Sequence, residues 1–222
     1  MGWFEDQAVQ VERSVVAKEW LGKPARAVTA SRTYLTDIDD LWDALITPER
    51  MRRWFMPVSG DLREGGRYRL EGNAEGSIIT CKPPRELAVT WEFNGGVGWV
   101  NVMLSAEGEQ VTRLTLEHIA HEDAAFLGFW EQFGPGAVGV GWDLSLLGLA
   151  EHLIDGQKAR PRDEPAFFAS DDGRSFAERS SAGWCDASMA FGTDREAALE
   201  ASRRTTAFYT GGGEGQGTDE RG

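Results

Sequence analysis

Glu86-Leu87-Ala88-Val89-Thr90-Trp91-Glu92-Phe93, Asn94-Gly95-Gly96 and Val97-Gly98-Trp99-Val100-Asn101-Val102-Met103-Leu104 form the continuous stretch on which the fold turns. Leu87, Val89, Trp91 and Phe93 alternate along its first part, and Val100, Val102 and Leu104 along its last. A period of two marks strands with one buried face. Asn94-Gly95-Gly96 supplies the backbone freedom that a turn requires, and so short a connection makes its neighbours pair antiparallel.

The same grammar extends outward. Val58–Leu62, Arg67–Leu70, Ser77–Cys81 and Thr112–Ala120 each suit a strand, with breaks at Gly65-Gly66, Gly72-Asn73, Pro83-Pro84 and Glu107-Gly108. A first strand is expected from Arg26 to Tyr34. Between it and the series, Thr36 with Asp39 resembles a helix-start pair ahead of Ile38, Leu41, Trp42 and Leu45, and Thr47-Pro48 opens a short helix through Trp54. After the strands, a loop with Phe126, Phe129 and Trp130 leads to Pro135. Val138, Trp142, Leu146, Leu149 and Leu153 then follow at four, four, three and four residues, a long helix whose apolar stripe must cover the sheet.

The ends read differently. Phe4, Ala8, Val11 and Val15 suggest a helix ending near Gly22, while Val9 and Val11 also alternate, and residues 1–24 form an N-terminal extension to a main domain over residues 25–156. Lys158–Pro165 is a charged, proline-containing linker. Beyond it, Phe176, Trp184, Ala187 and Phe191 mark one helix, and Thr193 with Glu196 caps another containing Leu199 and Phe208, which makes residues 157–209 a helical appendage. Residues 210–222, rich in glycine and charge, read as a disordered tail. Two helices of this size are marginal alone, so the appendage is expected to dock. The outer sheet (through Trp99 and Met103), the long helix or another subunit are the surfaces available.

Composition narrows the function. Among 222 residues, 36 acidic against 23 basic side chains give a net charge of −13, which repels nucleic-acid phosphates and anionic lipid headgroups. No secretion-signal pattern opens the chain, and Asp143, Ser145, Glu151 and His152 interrupt its most apolar stretch, against a membrane span. Cys81 and Cys185 form neither a disulfide framework nor a metal pattern, which fits a reducing cytoplasm. With three histidines at no metal spacing and no complete phosphate-binding loop, neither a metal nor a nucleotide cofactor is expected.

Several motifs add a family resemblance. Pro48-Glu49-Arg50-Met51-Arg52-Arg53-Trp54-Phe55 resembles the helix signature of the SRPBCC (START-like) superfamily, in the branch homologous to the heat-shock protein 90 ATPase activator. In the same order, Asp61-Leu62-Arg63-Glu64-Gly65-Gly66-Arg67-Tyr68, Pro83-Pro84-Arg85-Glu86-Leu87 with Thr90-Trp91, and Thr112-Arg113-Leu114-Thr115-Leu116-Glu117-His118 look like its sheet motifs. Gly141-Trp142 with Leu146 and Leu149 looks like its closing helix. The resemblance covers residues 25–155. It implies an α+β helix-grip fold, a curved antiparallel sheet wrapped around a long C-terminal helix, enclosing a cavity for apolar or amphipathic small molecules. It implies no single activity, because function on a shared fold resides in individual sites.

The candidate site follows from that cavity. Trp54, Phe55, Trp91, Phe93 and Trp142 supply aromatic wall, Leu146 lies on the stripe, and Tyr68 shares the parity of Leu70. His118 shares the parity of Leu114 and Leu116 and so faces inward, where it can donate to a ligand carbonyl or shuttle a proton. The bland reading makes His118 a core histidine satisfied by backbone and the tryptophans ordinary packing. His121 is nearer the strand end, and His152 is explained by the electrostatics of a helix end. The function expected is binding of a hydrophobic small molecule. The alternatives are a cyclase- or hydratase-like enzyme using His118 and a chaperone-associated regulator.

Overall fold

The computed structural model describes residues 3–156 and 164–212. Eight strands form one antiparallel sheet: β1 (Glu12–Trp20), β2 (Lys23–Tyr34), β3 (Val58–Gly60), β4 (Arg67–Leu70), β5 (Glu75–Lys82), β6 (Glu86–Phe93), β7 (Gly96–Gly108) and β8 (Val111–His121). Their spatial order is β1-β2-β8-β7-β6-β5-β4-β3. Between β2 and β3 lie α2 (Ile38–Ile46) and α3 (Pro48–Trp54), and α5 (Gly136–Ile154) is the gripped helix. The α+β helix-grip fold is therefore present.

Register explains the buried face. Arg13, Ala30, Leu116, Val102 and Leu87 form one cross-strand row, and Val15, Val28, His118, Val100 and Val89 the next. Period-two alternation points these rows the same way, toward α5, whose Leu146, Leu147 and Leu149 are fully buried. Two α5 features set the distances. A Cβ at Gly148 would lie 2.5 Å from the Trp54 carbonyl oxygen, so glycine lets α3 approach. The Tyr34 hydroxyl donates to the Leu146 carbonyl at 3.0 Å and ties β2 to the helix.

The N-terminal expectation is overturned. Only Trp3–Val9 is helical (α1), and β1 follows, because Leu21 and Gly22 both take positive φ and turn the chain in two residues, setting Trp20 opposite Lys23. The supposed loop after β8 is helix α4 (Ala124–Phe133), whose first turn is capped by the Asp123 carboxylate accepting from Phe126 N–H. Two caps also differ. Asp37, not Thr36, caps α2, and Asp194, not Thr193, caps the last helix, because a carboxylate one residue on reaches the free N–H groups.

After α5 come α6 (Glu164–Ala169), α7 (Asp171–Phe191) and α8 (Arg195–Thr210), and Phe168, Phe176 and Trp184 join the same hydrophobic core as Leu116 and Leu147. Pro165, assigned to a linker from sequence, lies within α6, while residues 157–163 and the tail from 213 onward fall outside the described residues. The surface against which α7 packs is α5 with α1 and β1, not the outer sheet. Trp99 is instead covered by Trp20 and His121, at ring centroids of 6.0 and 4.8 Å, and Met103 stays exposed. Trp184 lies on α5 over Gly139, where a Cβ would come within 2.2 Å of its ring. Phe208 remains exposed, although its ring meets those of Phe133 and Tyr209 at centroid distances of 5.6 and 5.3 Å.

The joint is polar as well as apolar. Asp143, fully buried on α5, accepts from Arg13 Nε at 2.9 Å, from Trp184 Nε1 at 3.0 Å and from the Ser180 hydroxyl. One carboxylate thus ties β1, α5 and α7. Arg32 is buried nearby over the Tyr34 ring and donates to Gln7, and burial lowers its pKa. From the sequence, Asp143 was only an interruption in an apolar stretch, because its partners lie 130 and about 40 residues away.

Candidate functional site

Two spaces meet between the sheet and α5. The inner one is a cavity of about 200 Å³ whose wall includes Trp54, Phe55, Tyr68, Trp91, Trp142 and Leu146. Those six were legible from sequence. The end of α3 delivers Trp54 and Phe55, β4 delivers Tyr68, β6 delivers Trp91, and α5 delivers Trp142 and Leu146. Also on the wall, and missed, are Met51, Ile78, Cys81 and Val89. The signal for Val89 was present, since it shares the parity of Trp91.

Phe93 and His118 do not reach the inner cavity. They line a wider, open cleft of about 770 Å³ with Phe126, Val138 and Tyr209. Phe93 stands at the strand end and is exposed. Phe55, Trp91, Trp142 and Ser145 border both spaces. The ring centroids of Trp91 and Trp142 are 5.1 Å apart, and those of Phe55 and Trp142 6.3 Å, so the shared wall is an aromatic partition.

Several polar groups on the inner wall are already bonded to protein. Tyr68 Oη–H donates to the Thr90 carbonyl at 2.7 Å, Trp54 Nε1–H to Ala44 O at 3.0 Å, and the Ser145 hydroxyl to Gly141 O at 2.9 Å. Burial pushes the Tyr68 phenol and the Cys81 thiol up from their ordinary pKa values, so both stay protonated at neutral pH. Trp142 Nε1–H donates to His118 Nδ1 at 3.0 Å.

This last bond defines His118. An Nδ1 that accepts carries no proton, so the ring is neutral and its proton is on Nε2. Burial also lowers the His118 pKa to about 4, because the charged ring would lose its hydration. Its partner is thus an indole, not the backbone group that the core-histidine reading supplied. His121 bonds the Trp20 carbonyl through Nε2 at 3.0 Å on the opposite sheet face. His152 is buried and accepts from Arg50 Nε at 3.1 Å. Burial first, then Arg50 and Arg53, lower its pKa, which replaces the helix-end explanation.

The acidic residues with outward parity form surface pairs, Glu92 with Arg67 at 3.0 Å and Glu117 with Lys18 at 2.8 Å. Among the described residues no three His, Cys, Asp or Glu side chains converge as a metal site. By length and composition α5 is apolar enough to cross a membrane, but its inward residues are covered by the sheet and by α7.

Comparison with known proteins bears on this geometry. Residues 35–153 match the family described as Activator of Hsp90 ATPase homolog 1-like protein. CalU16 from Micromonospora echinospora is similar in its crystal structure at 34% identity, over 80% of this chain and 97% of that one, with a TM-score of 0.62. Its solution structure gives 32% identity, 82% and 97% coverage and a TM-score of 0.64. DynU16, from the dynemicin biosynthetic locus, shares the fold at 20% identity, over 60% of this chain and 49% of that one, with a TM-score of 0.51. No curated protein matches the chain.

Proposed function

Since the chain belongs to the family of Activator of Hsp90 ATPase homolog 1-like proteins, we propose that it binds a hydrophobic small molecule in the cavity between sheet and α5. The observation that carries this reading is the inner wall, apolar and aromatic, where the Tyr68 and Ser145 hydroxyls and the Trp54 and Trp142 indoles are already bonded within the protein. Such a wall rewards removal of apolar area from water and offers little to a polar guest. An apolar cavity of ~150 Å³ accommodates benzene, so about 200 Å³ suits a fused bicyclic ring or an alkyl group of similar bulk. The low pKa of His118 supports binding over proton transfer near neutral pH.

Native mass spectrometry of protein purified from its own host tests the reading, together with thermal melting in the presence of naphthalene. A co-purified apolar species, or a melting temperature raised by naphthalene and not raised in a cavity-filling Val89→Phe variant, is expected. At a hundred-fold excess over Kd, a ligand stabilises by ~2.7 kcal/mol. No bound species, with identical melting in both proteins, overturns it.

A further inference from the structure

The outer cleft holds a polar group that the inner cavity lacks. His118 Nδ1 is occupied by the Trp142 indole, so the ring turns its Nε2–H toward the space beside Gly98, where even a Cβ would lie 2.9 Å from that nitrogen. Two other polar side chains on the cleft wall are engaged, since Asp123 caps α4 and Tyr209 Oη–H donates to Ala137 O at 2.5 Å. Among the described residues the Nε2–H of His118 has no protein acceptor. It lies just across the aromatic partition, its ring centroid 5.8 Å from that of Trp142 and 6.1 Å from that of Trp91.

We propose that the outer cleft is a second subsite of one continuous binding site, in which the Nε2–H of His118 donates a hydrogen bond to a ligand carbonyl. The ligand class is then an aryl or polycyclic ketone, quinone or comparable neutral carbonyl compound. Its apolar rings occupy the inner cavity and its C=O passes the edge formed by Phe55, Trp91 and Trp142. A carboxylate would enter a chain of net charge −13 and meet a neutral donor, so an uncharged carbonyl fits better. A protonated amine would bring a donor to a donor. The proposal rests on the reading that the inner cavity binds apolar rings.

Two shape-matched probes separate the claims, 2-acetylnaphthalene and 2-isopropenylnaphthalene, in which a methylene replaces the carbonyl oxygen. The expected result is about 2- to 12-fold tighter binding of the ketone, the size of one net hydrogen bond. The ratio should fall to near 1 in His118→Leu and partly return in His118→Gln, whose amide can donate. The infrared carbonyl stretch of the bound ketone should move to lower frequency than in hexane, a measurement on the unaltered protein that stands even if the variants misfold. Binding of both probes with equal affinity and an unshifted carbonyl overturns the second subsite and leaves the apolar-cavity reading standing. Failure of both probes to bind overturns the two together.

Discussion

Replacing Arg13 by Met tests the joint between β1, α5 and α7. The Arg13 and Asp143 side chains are 7% and 0% exposed, and the substitution keeps most of the apolar bulk while deleting the guanidinium. Asp143 would retain only Ser180 and Trp184, with its Oδ1 already lacking a partner. Removing one member of a buried pair costs about 3–5 kcal/mol, and in a chain this long each kcal/mol lowers Tm by about 2–4 °C. The expected fall is therefore roughly 6–20 °C at neutral pH. Proton linkage sharpens the prediction. Burial holds the Asp143 pKa above its ordinary value against the pull of Arg13, so the variant's pKa rises further. A carboxyl with a raised folded pKa contributes stability that is complete below its unfolded pKa and is lost as pH rises through the folded value. The variant should thus lose less against wild type at pH 5 than at pH 8. Urea denaturation followed by tryptophan fluorescence at both pH values is the assay. A loss below ~1 kcal/mol at pH 8, or one equal at both pH values, would refute the buried-pair argument.

Two further outcomes follow from the site. The His118 pKa is depressed from 6.5 to about 4, so its contribution is complete above pH 6.5 and lost as pH falls toward 4. That window corresponds to ~3 kcal/mol, and denaturation curves of His118→Leu should show a shallower loss across it, with the remainder from His152, whose pKa is also lowered. Gly148→Ala, which in an exposed helix would stabilise by ~0.5–1 kcal/mol, should instead cost ~1–3 kcal/mol, because the new Cβ meets the Trp54 carbonyl. Unchanged thermal melting would show that α3 and α5 do not pack as closely as the structure has them.

Alternation along β6, β7 and β8 and the four-three spacing along α5 are local properties, so the sequence alone determined the helix-grip core and the inward parity of Tyr68, Trp91 and His118. The cavity around which Trp54, Phe55, Trp142 and Leu146 were expected came from the family resemblance, not from periodicity. Residues 1–22 resisted because Val9, Val11 and Val15 fit two periods at once, and the Leu21-Gly22 turn together with pairing to β2 decided between them. Tertiary structure alone revealed the partners of Asp143, since an ion pair across 130 residues leaves no mark in local spacing. It alone showed that Trp142 and His118, 24 residues apart, are hydrogen-bonded. That bond fixes the histidine's proton on Nε2 and stands where the inner cavity meets the outer cleft. A pattern along a chain records which face a side chain takes, whereas its protonation state and hydrogen-bond partner are set by whichever other segment packs against that face.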